Sequence, residues 1–210
     1  MERAHPATLG AVLAGGLGRR MGGADKALLH LGGRTLLSMA VERLDPQCDG
    51  IVISANGALE RFEGMALPIV PDSVPGLLGP LAGILAALEW AASSRPSVEW
   101  VVSVPCDTPF LPLDLVSRLH EGRAASYAPL ACAASGSRLH HAVGLWPVAV
   151  RQDLRTAIAK GTRSIREWTN AKGVARVHWA VDPLDPFFNI NTIDDLAEAD
   201  AMLERRSTSR

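Results

Sequence analysis

Short apolar runs rich in Val, Ile and Leu alternate with longer stretches of helical periodicity along most of this 210-residue chain. We predict strands at residues 9–13, 51–55, 69–70, 100–104 and 174–179. A strand followed by a helix, repeated at a spacing of roughly 30 residues, is typical of an α/β domain with a mostly parallel sheet. The sequence therefore predicts a Rossmann-like three-layer α/β sandwich, formed as one domain over residues 1–210.

The segments between these strands show helical spacing of apolar residues. Predicted helices cover residues 35–44, 81–93, 114–121, 148–160, 164–170 and 192–205. The middle of the chain is less regular, because residues 126–134 and 141–146 have strand character on either side of a turn at 135–137. We expect an antiparallel hairpin there, inserted into an otherwise parallel sheet.

Charge and cysteine content narrow the range of partners. Lys and Arg number 21 against 22 Asp and Glu, a net charge of −1, which argues against binding to nucleic acid or an anionic membrane through bulk charge. No apolar run approaches the roughly 20 residues that span a bilayer. The three cysteines, Cys48, Cys106 and Cys132, are far apart and form no CxxC pair, so we predict neither a zinc site nor disulfides. A cytoplasmic location follows as an expectation.

A glycine-rich loop follows the first predicted strand. Residues 13–26 read LAGGLGRRMGGADK, which places three cations and one carboxylate among five glycines. Glycine lets backbone N–H groups approach an anion closely, and the local charge of 3 − 1 = +2 favours a phosphate ligand. The loop matches neither GxGxxG, because Met21 occupies the third glycine position, nor GxxxxGK[ST], because no lysine follows Gly22 or Gly23.

Two carboxylates follow later strands. Asp107 comes after the strand at 100–104, at the edge where open α/β sheets bind ligands, and one firm carboxylate suffices for a magnesium ion that also binds substrate phosphates. The alternative is that Asp107 caps the next helix. Asp72 follows the short strand at 69–70, where it is either a nucleoside-binding residue or a simple turn residue.

The loop at 13–26 resembles the signature of nucleotidyltransferases with a glycosyltransferase-A-like fold. Its form is most similar to that of the molybdenum cofactor guanylyltransferases, the MobA family, and the resemblance covers nearly the whole chain. Four later stretches match that family in order: PD at 71–72, GPLAG at 79–83, PCDTP at 105–109 and NINT at 189–192. The resemblance implies transfer of GMP from GTP to molybdopterin, with the guanine dinucleotide cofactor and pyrophosphate as products.

The resemblance also implies roles for individual residues in GTP binding. Main-chain groups of Leu13, Ala14 and Gly15 would line the base and ribose. The loop that includes Gly16, Gly18 and Arg20 would wrap the triphosphate, with Arg20 and Lys26 neutralising charge on the leaving pyrophosphate. Asp72 would recognise the nucleoside, and Asp107 would hold Mg²⁺. Residues 8–125 would then form a nucleotide half.

The second substrate would lie on the other part of the chain, an acceptor half at residues 126–205. There the resemblance implies that Asn189 and His140, beside His141, face the pterin, and that Asn191 makes a second metal or phosphate contact. His141 replaces the proline usual after the family histidine. Ser54 stands where the family usually has an asparagine that helps to read guanine, and Asn56 on the same strand face is a candidate replacement.

The reaction implied needs no general base, because a phosphate monoester is already an anionic nucleophile at neutral pH. Positioning and charge neutralisation would carry catalysis instead. Three alternatives remain open from the sequence: CTP as the donor for the same pterin, transfer to a sugar phosphate, and a non-catalytic nucleotide or pterin carrier. Delivery of product to a molybdoenzyme or its chaperone is a further expectation, for which no linear motif identifies the partner.

Overall fold

The computed structural model describes residues 5–15, 25–74 and 79–208. Its strands are β1 (Thr8–Leu13), β2 (His30–Leu31), β3 (Arg34–Thr35), β4 (Ile51–Ser54), β5 (Ile69–Val70), β6 (Trp100–Pro105), β7 (Leu130–Ser135), β8 (Arg138–Pro147) and β9 (Val174–Trp179). Seven of them form one sheet in the order β5-β4-β1-β6-β8-β7-β9, while β2 and β3 pair separately as a hairpin. The sheet is mostly parallel, with β8 antiparallel to both of its neighbours, β6 and β7.

Helices cover both faces of the sheet. They are α1 (Leu36–Leu44), α2 (Pro80–Ser94), α3 (Leu115–Ala125), α4 (Arg151–Ala159), α5 (Ile165–Lys172) and α6 (Ile193–Thr208). Apolar residues of α1 and α3 pack on one face of the strands, and those of α2, α4 and α5 pack on the other. Burying a single large apolar side chain contributes about 1.5–3 kcal/mol, so these two clusters hold the three layers together. The predicted three-layer α/β sandwich is confirmed.

The local sequence explains how two of these helices begin. Helix α2 has Pro80 in its first turn, where a missing N–H costs nothing, and its Ala- and Leu-rich sequence is apolar on almost every side, as expected for a buried helix. Helix α6 is preceded by Thr192, whose Oγ1 accepts from Asp195 N (3.1 Å), while Asp195 Oδ2 accepts from Thr192 N (2.8 Å). This reciprocal cap fixes the point at which the chain enters α6.

The hairpin β2–β3 was not predicted. Each of its strands has only two residues, so no alternating apolar pattern could be recognised in the sequence. Gly32 and Gly33 form its turn with φ of +56° and +77°, a left-handed pair that favours glycine. A third apolar cluster lies beside this hairpin and includes residues of α1 and α6.

The middle of the chain departs from its predicted boundaries. The strand expected from residue 126 begins at Leu130, because α3 continues to Ala125 and Tyr127 adopts a left-handed φ of +51° after it. The predicted antiparallel pairing is present, but β8 runs from Arg138 and its register with β7 shifts between Cys132 and Ala133. The helix expected from residue 148 begins as a 3₁₀ turn, Val148–Val150, before α4. No helix in the described part of the chain has the length and apolar character needed to cross a membrane.

Candidate active site

The carboxyl ends of three parallel strands meet at one edge of the sheet. Leu13 of β1 is in register with Ser54 of β4 on one side and with Pro105 of β6 on the other. Past these strand ends, Ala14 N donates to Ser54 O (2.8 Å) and Cys106 N donates to Leu13 O (3.1 Å). The first residues of the glycine-rich loop therefore lie directly beside the loop that carries Asp107, as the sequence predicted for the edge of an open α/β sheet.

Asp107 is the centre of a polar cluster at this edge. Its Oδ2 accepts from Lys26 Nζ (3.0 Å) and its Oδ1 accepts from Asn189 Nδ2 (2.8 Å). Lys26 Nζ also donates to Asn191 Oδ1 (2.7 Å), and Asn191 Nδ2 donates to Asn189 Oδ1 (2.6 Å). Asp107 thus caps no helix, since α3 begins only at Leu115. The structure brings together four predicted site residues from three distant stretches of the chain.

The Lys26–Asp107 pair is largely removed from solvent. The exposed fractions of the two side chains are 16% and 14%, so the carboxylate and the ammonium interact in a setting of reduced screening. Burial and, after it, the charge of Asp107 raise the pKa of the neighbouring Cys106 thiol. A neutral, buried thiol fits the prediction that Cys106 is a packing residue and no nucleophile.

The segment from Asp185 to Asn191, which begins with a turn in which Phe188 N donates to Asp185 O (3.1 Å), carries the asparagines of this cluster. Every second residue of the segment contacts the site: Asp185 binds Ser135, Phe187 packs against His140, Asn189 binds Asp107 and Asn191 binds Lys26. Its far end is anchored because Asp195 Oδ2 accepts from Asn191 N at 2.7 Å. That backbone bond, with the bonds from Thr192, lowers the pKa of Asp195 and keeps it an ionised acceptor.

The oxygens around Lys26 Nζ form a donor set that suits a hard divalent cation. Asp107 and Asn191 each direct a side-chain oxygen at the ammonium. Mg²⁺ takes carboxylate and amide oxygens of this kind, together with phosphate oxygens and water. In the described parts of the chain, 5–15, 25–74 and 79–208, no group of three or more His, Cys, Asp or Glu side chains is arranged for a metal ion. Asp107 and Asn191 are thus the residues of this cluster whose side-chain oxygens could hold such a cation.

Asp72 lies at the neighbouring strand end, where it pairs with Asn56. Asn56 Nδ2 donates to Asp72 Oδ2 (2.8 Å), and Asp72 N donates to Asn56 Oδ1 (2.9 Å). Burial raises the pKa of Asp72, against the opposing effect of the hydrogen bond from Asn56. The other carboxylate oxygen, Oδ1, is not used by Asn56. The carboxylate of Asp72 is therefore held in one orientation.

Ser54 lies under helix α2. It is 3% exposed, and a Cβ added to Gly83 would come within 2.5 Å of its Oγ and 3.2 Å of Leu13 Cδ2. The glycine in α2 is thus required for the close approach of the helix to β4. Asn56, which the sequence suggested as a replacement for Ser54, makes its side-chain hydrogen bonds with Asp72.

One residue that joins the segment at Asp25 to the segment at Asn56 was not predicted from the sequence. Arg61 lies with Nε 2.6 Å from Asp25 Oδ2 in an ion pair, and its Nη2 donates to Asn56 O (2.8 Å). Asp25 in turn accepts from Ala27 N (3.0 Å) and caps the 3₁₀ turn Lys26–Leu28. Arg61 lies in a short 3₁₀ turn with no recognisable motif, so no local signal in the sequence identifies it.

His140 belongs to a second polar group on the acceptor half. Ser135 Oγ donates to Asp185 Oδ2 (3.0 Å) and therefore accepts from His140 Nε2 (2.7 Å), which places the proton of a neutral imidazole on Nε2. Burial lowers the pKa of His140, and the charge of Asp185 partly offsets that shift. Ser135 and Asp185 were not predicted, because only the fold brings them to the histidine.

His141 points to a different element from His140. Its Nδ1 lies 2.8 Å from Thr169 Oγ1 on α5, and burial together with Arg166 and Arg176 lowers its pKa. The two histidines therefore do not share one set of contacts, as a common patch would require. The predicted residues Gly16, Gly18 and Arg20 lie outside the described residues, whereas Leu13, Ala14 and Gly15 lie at the end of β1 beside the site.

Comparison with known proteins places this geometry in a family. The model of the MobA-like NTP transferase domain matches residues 10–177. The chain belongs to the MobA-like NTP transferase family. The resemblance drawn from the glycine-rich loop and the later motifs is confirmed, and so is the assignment to the nucleotidyltransferases.

Several relatives resemble this MobA-like chain over almost their whole length. A protein of Nitrobacter hamburgensis named molybdenum cofactor guanylyltransferase is 54% identical, over 94% of this chain and 95% of its own. Proteins with the same name are 52% identical in Bradyrhizobium sp., over 92% of both chains, and 44% identical in Mesorhizobium japonicum, over 93% and 95%.

Solved structures agree on the fold of the MobA-like chain. The molybdopterin-guanine dinucleotide biosynthesis protein A of Archaeoglobus fulgidus superposes with a TM-score of 0.72 at 24% identity, covering 94% of this chain and 99% of that one. A 4-diphosphocytidyl-2C-methyl-D-erythritol synthase of Anaerococcus prevotii gives 0.71 at 15% identity, over 95% and 97%. At these identities the likeness supports the glycosyltransferase-A-like architecture alone.

Proposed function

We propose that this protein transfers GMP from GTP to the terminal phosphate of molybdopterin, with Mg²⁺ as the metal. The observation that carries the proposal is the cluster at the edge of the sheet in which Lys26 and Asn189 donate to Asp107 and Asn191 joins Lys26 to Asn189. Relatives at 44–54% identity are named for this activity. Among the described residues of this cluster, a single carboxylate lies beside a lysine and no side-chain nucleophile is paired with a base, which suits transfer between two phosphates.

The reaction forms one bond and breaks one bond at the α-phosphorus of GTP. An oxygen of the pterin phosphate attacks that phosphorus, and the bond to the bridging oxygen of the β-phosphate breaks, so that pyrophosphate leaves with the electron pair. Since the attacking oxygen is already anionic, the protein need not remove a proton. Its task is to hold two polyanions in line and to offset their repulsion.

Different residues of the proposed site carry out different parts of this task. Asp72 and its partner Asn56 bind the base, with Asp72 accepting from guanine N–H groups. Main-chain groups of Leu13, Ala14 and Gly15 line the nucleoside, and Arg20 with the loop at Gly16 and Gly18 binds the triphosphate.

Lys26 and Asp107 act at the phosphates. Lys26 exchanges its contacts with Asp107 and Asn191 for phosphate oxygens, and stabilises the leaving pyrophosphate. Asp107 and Asn191 would hold Mg²⁺, which supplies positive charge to the phosphates when bound.

The acceptor half supplies the site for molybdopterin in this proposal. His140, held by Ser135, and Asn189 at the boundary with Asp107 would contact the pterin phosphate and ring. Residues 8–125 then serve the nucleotide and residues 126–205 the acceptor. A cytoplasmic location completes the proposal, and the three buried free cysteines, Cys48, Cys106 and Cys132, suit a reducing compartment.

Product analysis with each nucleotide tests the proposal directly. The full chain is mixed with molybdopterin, Mg²⁺ and GTP, CTP, ATP or UTP in turn, and dinucleotide and pyrophosphate are measured. We expect GTP to give both products in equal amounts with the highest kcat/KM. A higher value for CTP would overturn the guanine assignment, and nucleotide binding without pyrophosphate release would favour a carrier over an enzyme.

A further inference from the structure

The guanidinium of Arg61 contacts two separate segments of the nucleotide half. Besides its ion pair with Asp25, it donates from Nη2 to Asn56 O (2.8 Å) and from Nη1 to Ala58 O (3.2 Å). Its carbon Cζ lies 4.6 Å from the centre of the Phe62 ring, in a cation–π contact with the guanidinium. Nη1 and Nη2 thus make hydrogen bonds, while Nε faces Asp25 Oδ2 in an ion pair without hydrogen-bond geometry, and the side chain is only 24% exposed.

Each segment that Arg61 holds carries a residue of the nucleotide site. Asp25 immediately precedes Lys26 and caps the 3₁₀ turn that presents it. Asn56 is bound to Asp72 through two hydrogen bonds. Arg61 thus links Asp25, the sequence neighbour of Lys26, to the backbone of Asn56, whose side chain binds Asp72.

We propose that Arg61 is a positioning residue that couples the base-binding pair Asn56–Asp72 to the phosphate-binding Lys26. This inference rests on the proposed function, because it takes Asp72 and Lys26 as the residues at the two ends of GTP. Arg61 itself touches neither end. It sets the separation between them, so its effect falls on ligands long enough to reach both.

The planar fork of arginine explains why this residue type is required. A guanidinium donates in fixed directions, here from Nη1 and Nη2 to two backbone carbonyls, while its charge pairs with Asp25. A lysine ammonium in the same place keeps a charge for Asp25 but lacks the rigid fork. Arg61→Lys therefore separates the ion pair from the bridge, and Arg61→Gln removes the charge.

The experiment compares a spanning ligand with its fragments. Isothermal titration measures binding of GTP, GMP and inorganic pyrophosphate, each with Mg²⁺, to the full wild-type chain and to Arg61→Gln and Arg61→Lys. For Arg61→Gln we expect GTP to bind roughly tenfold more weakly, the size of effect typical for loss of a charge-assisted contact. Binding of GMP and of pyrophosphate alone should change by less than about threefold, because each fragment uses one end only.

Arg118 of α3, which contacts β9, provides a matched control. It also pairs with a carboxylate (Asp114, 3.6 Å), donates to a backbone carbonyl (His178 O, 2.6 Å) and stacks on an aromatic ring (Trp179, 4.3 Å). Arg118→Gln should lower the melting temperature about as much as Arg61→Gln while leaving all three affinities unchanged. For Arg61→Lys we expect a melting temperature near that of the wild type with GTP binding still weakened several-fold.

Three outcomes are decisive. Weaker binding of GTP alone in Arg61→Gln supports the coupling role. Unchanged GTP binding, or equal weakening of GTP and both fragments, overturns it, since the second result marks a general loss of structure. A wild-type chain that binds CTP more tightly than GTP contradicts the proposed function instead, whatever the variants do.

Discussion

The two halves of the sheet present their functional residues in different ways. In the nucleotide half, β1, β4, β5 and β6 are parallel, so the residues that follow them reach one edge by topology alone. In the acceptor half, β8 runs antiparallel and its register with β7 is irregular. There His140 and the segment from Asp185 to Asn191 depend on specific side-chain contacts for their positions. In a regular parallel sheet the strand ends alone bring residues together, whereas in an irregular sheet side-chain hydrogen bonds must fix their positions.

The halves meet at Asp107, and the largest expected effect lies there. Asp107→Ala removes the acceptor of both Lys26 and Asn189 and the carboxylate offered to Mg²⁺. We expect kcat to fall at least about hundredfold, as for the loss of a charged group at a phosphoryl-transfer centre. Circular dichroism and thermal melting should show that the fold is retained. Unchanged turnover would contradict the metal assignment.

The next largest effect is expected in the nucleotide half, at the contact between α2 and β4. In Gly83→Ala the new Cβ would meet Ser54 Oγ at 2.5 Å and Leu13 Cδ2 at 3.2 Å, so either the helix or the strand end must shift. We expect a loss of about 1–3 kcal/mol in the free energy of unfolding and weaker GTP binding, measured by urea titration and calorimetry. Adding Ser54→Ala removes the hydroxyl and should restore most of both losses.

A glycine in α3, where that helix packs against β9 of the acceptor half, gives the corresponding control. The Cβ of Gly122→Ala in α3 would lie 2.5 Å from Val177 Cγ2 of β9, a similar overlap away from the nucleotide residues. This variant should lose stability to a comparable degree with GTP affinity preserved. If it weakened GTP binding as much as Gly83→Ala, the separation of the halves would be wrong.

A smaller effect concerns the hydrogen bonds that hold His140. Asp185→Asn removes the negative charge that raises the pKa of His140, so that pKa should fall further below its ordinary value. Proton NMR titration of the imidazole measures the shift, with His141 as an internal reference because its pKa depends on burial, Arg166 and Arg176. The KM for molybdopterin should rise several-fold while that for GTP stays constant. Equal changes in both KM values would contradict the assignment of His140 to the acceptor.

The smallest functional effect is expected at the first residue of β1, at the end of that strand away from the site. His120 Nε2 lies 2.9 Å from Thr8 Oγ1, and burial, with His5 and Arg123, lowers the pKa of His120 to about 4. A histidine with a lowered pKa is protonated more readily in the unfolded chain. Its contribution to stability is therefore present above pH 6.5 and lost as the pH falls towards 4.

His120→Gln should flatten that loss in urea titrations between pH 7.5 and 4.5, with kcat/KM at pH 7.5 unchanged. The remaining slope would come from His140 and His141, whose pKa values are also lowered. An undiminished slope in the variant would show that His120 does not control the acid sensitivity.

The order of strands and helices and one edge of the site were determined by the sequence itself. Alternating apolar and amphipathic segments require a covered, mostly parallel sheet, and such a sheet brings the residues after β1, β5 and β6 to one edge. Lys26, Asp72 and Asp107 were predictable for that reason. The glycine-rich loop and the motifs at 105–109 and 189–192 indicated the family on their own.

Only the tertiary structure decided which side chains join across the chain. Lys26 meets Asp107 and Asn191 over separations of 81 and 165 residues, and Arg61, Ser135 and Asp185 carry no local motif that announces their partners. Hydrogen bonds of this kind depend on distances of a few tenths of an ångström and on direction, which hydrophobic patterning does not encode. Patterning selects the layers of the fold, while the packing of those layers selects the polar contacts between them.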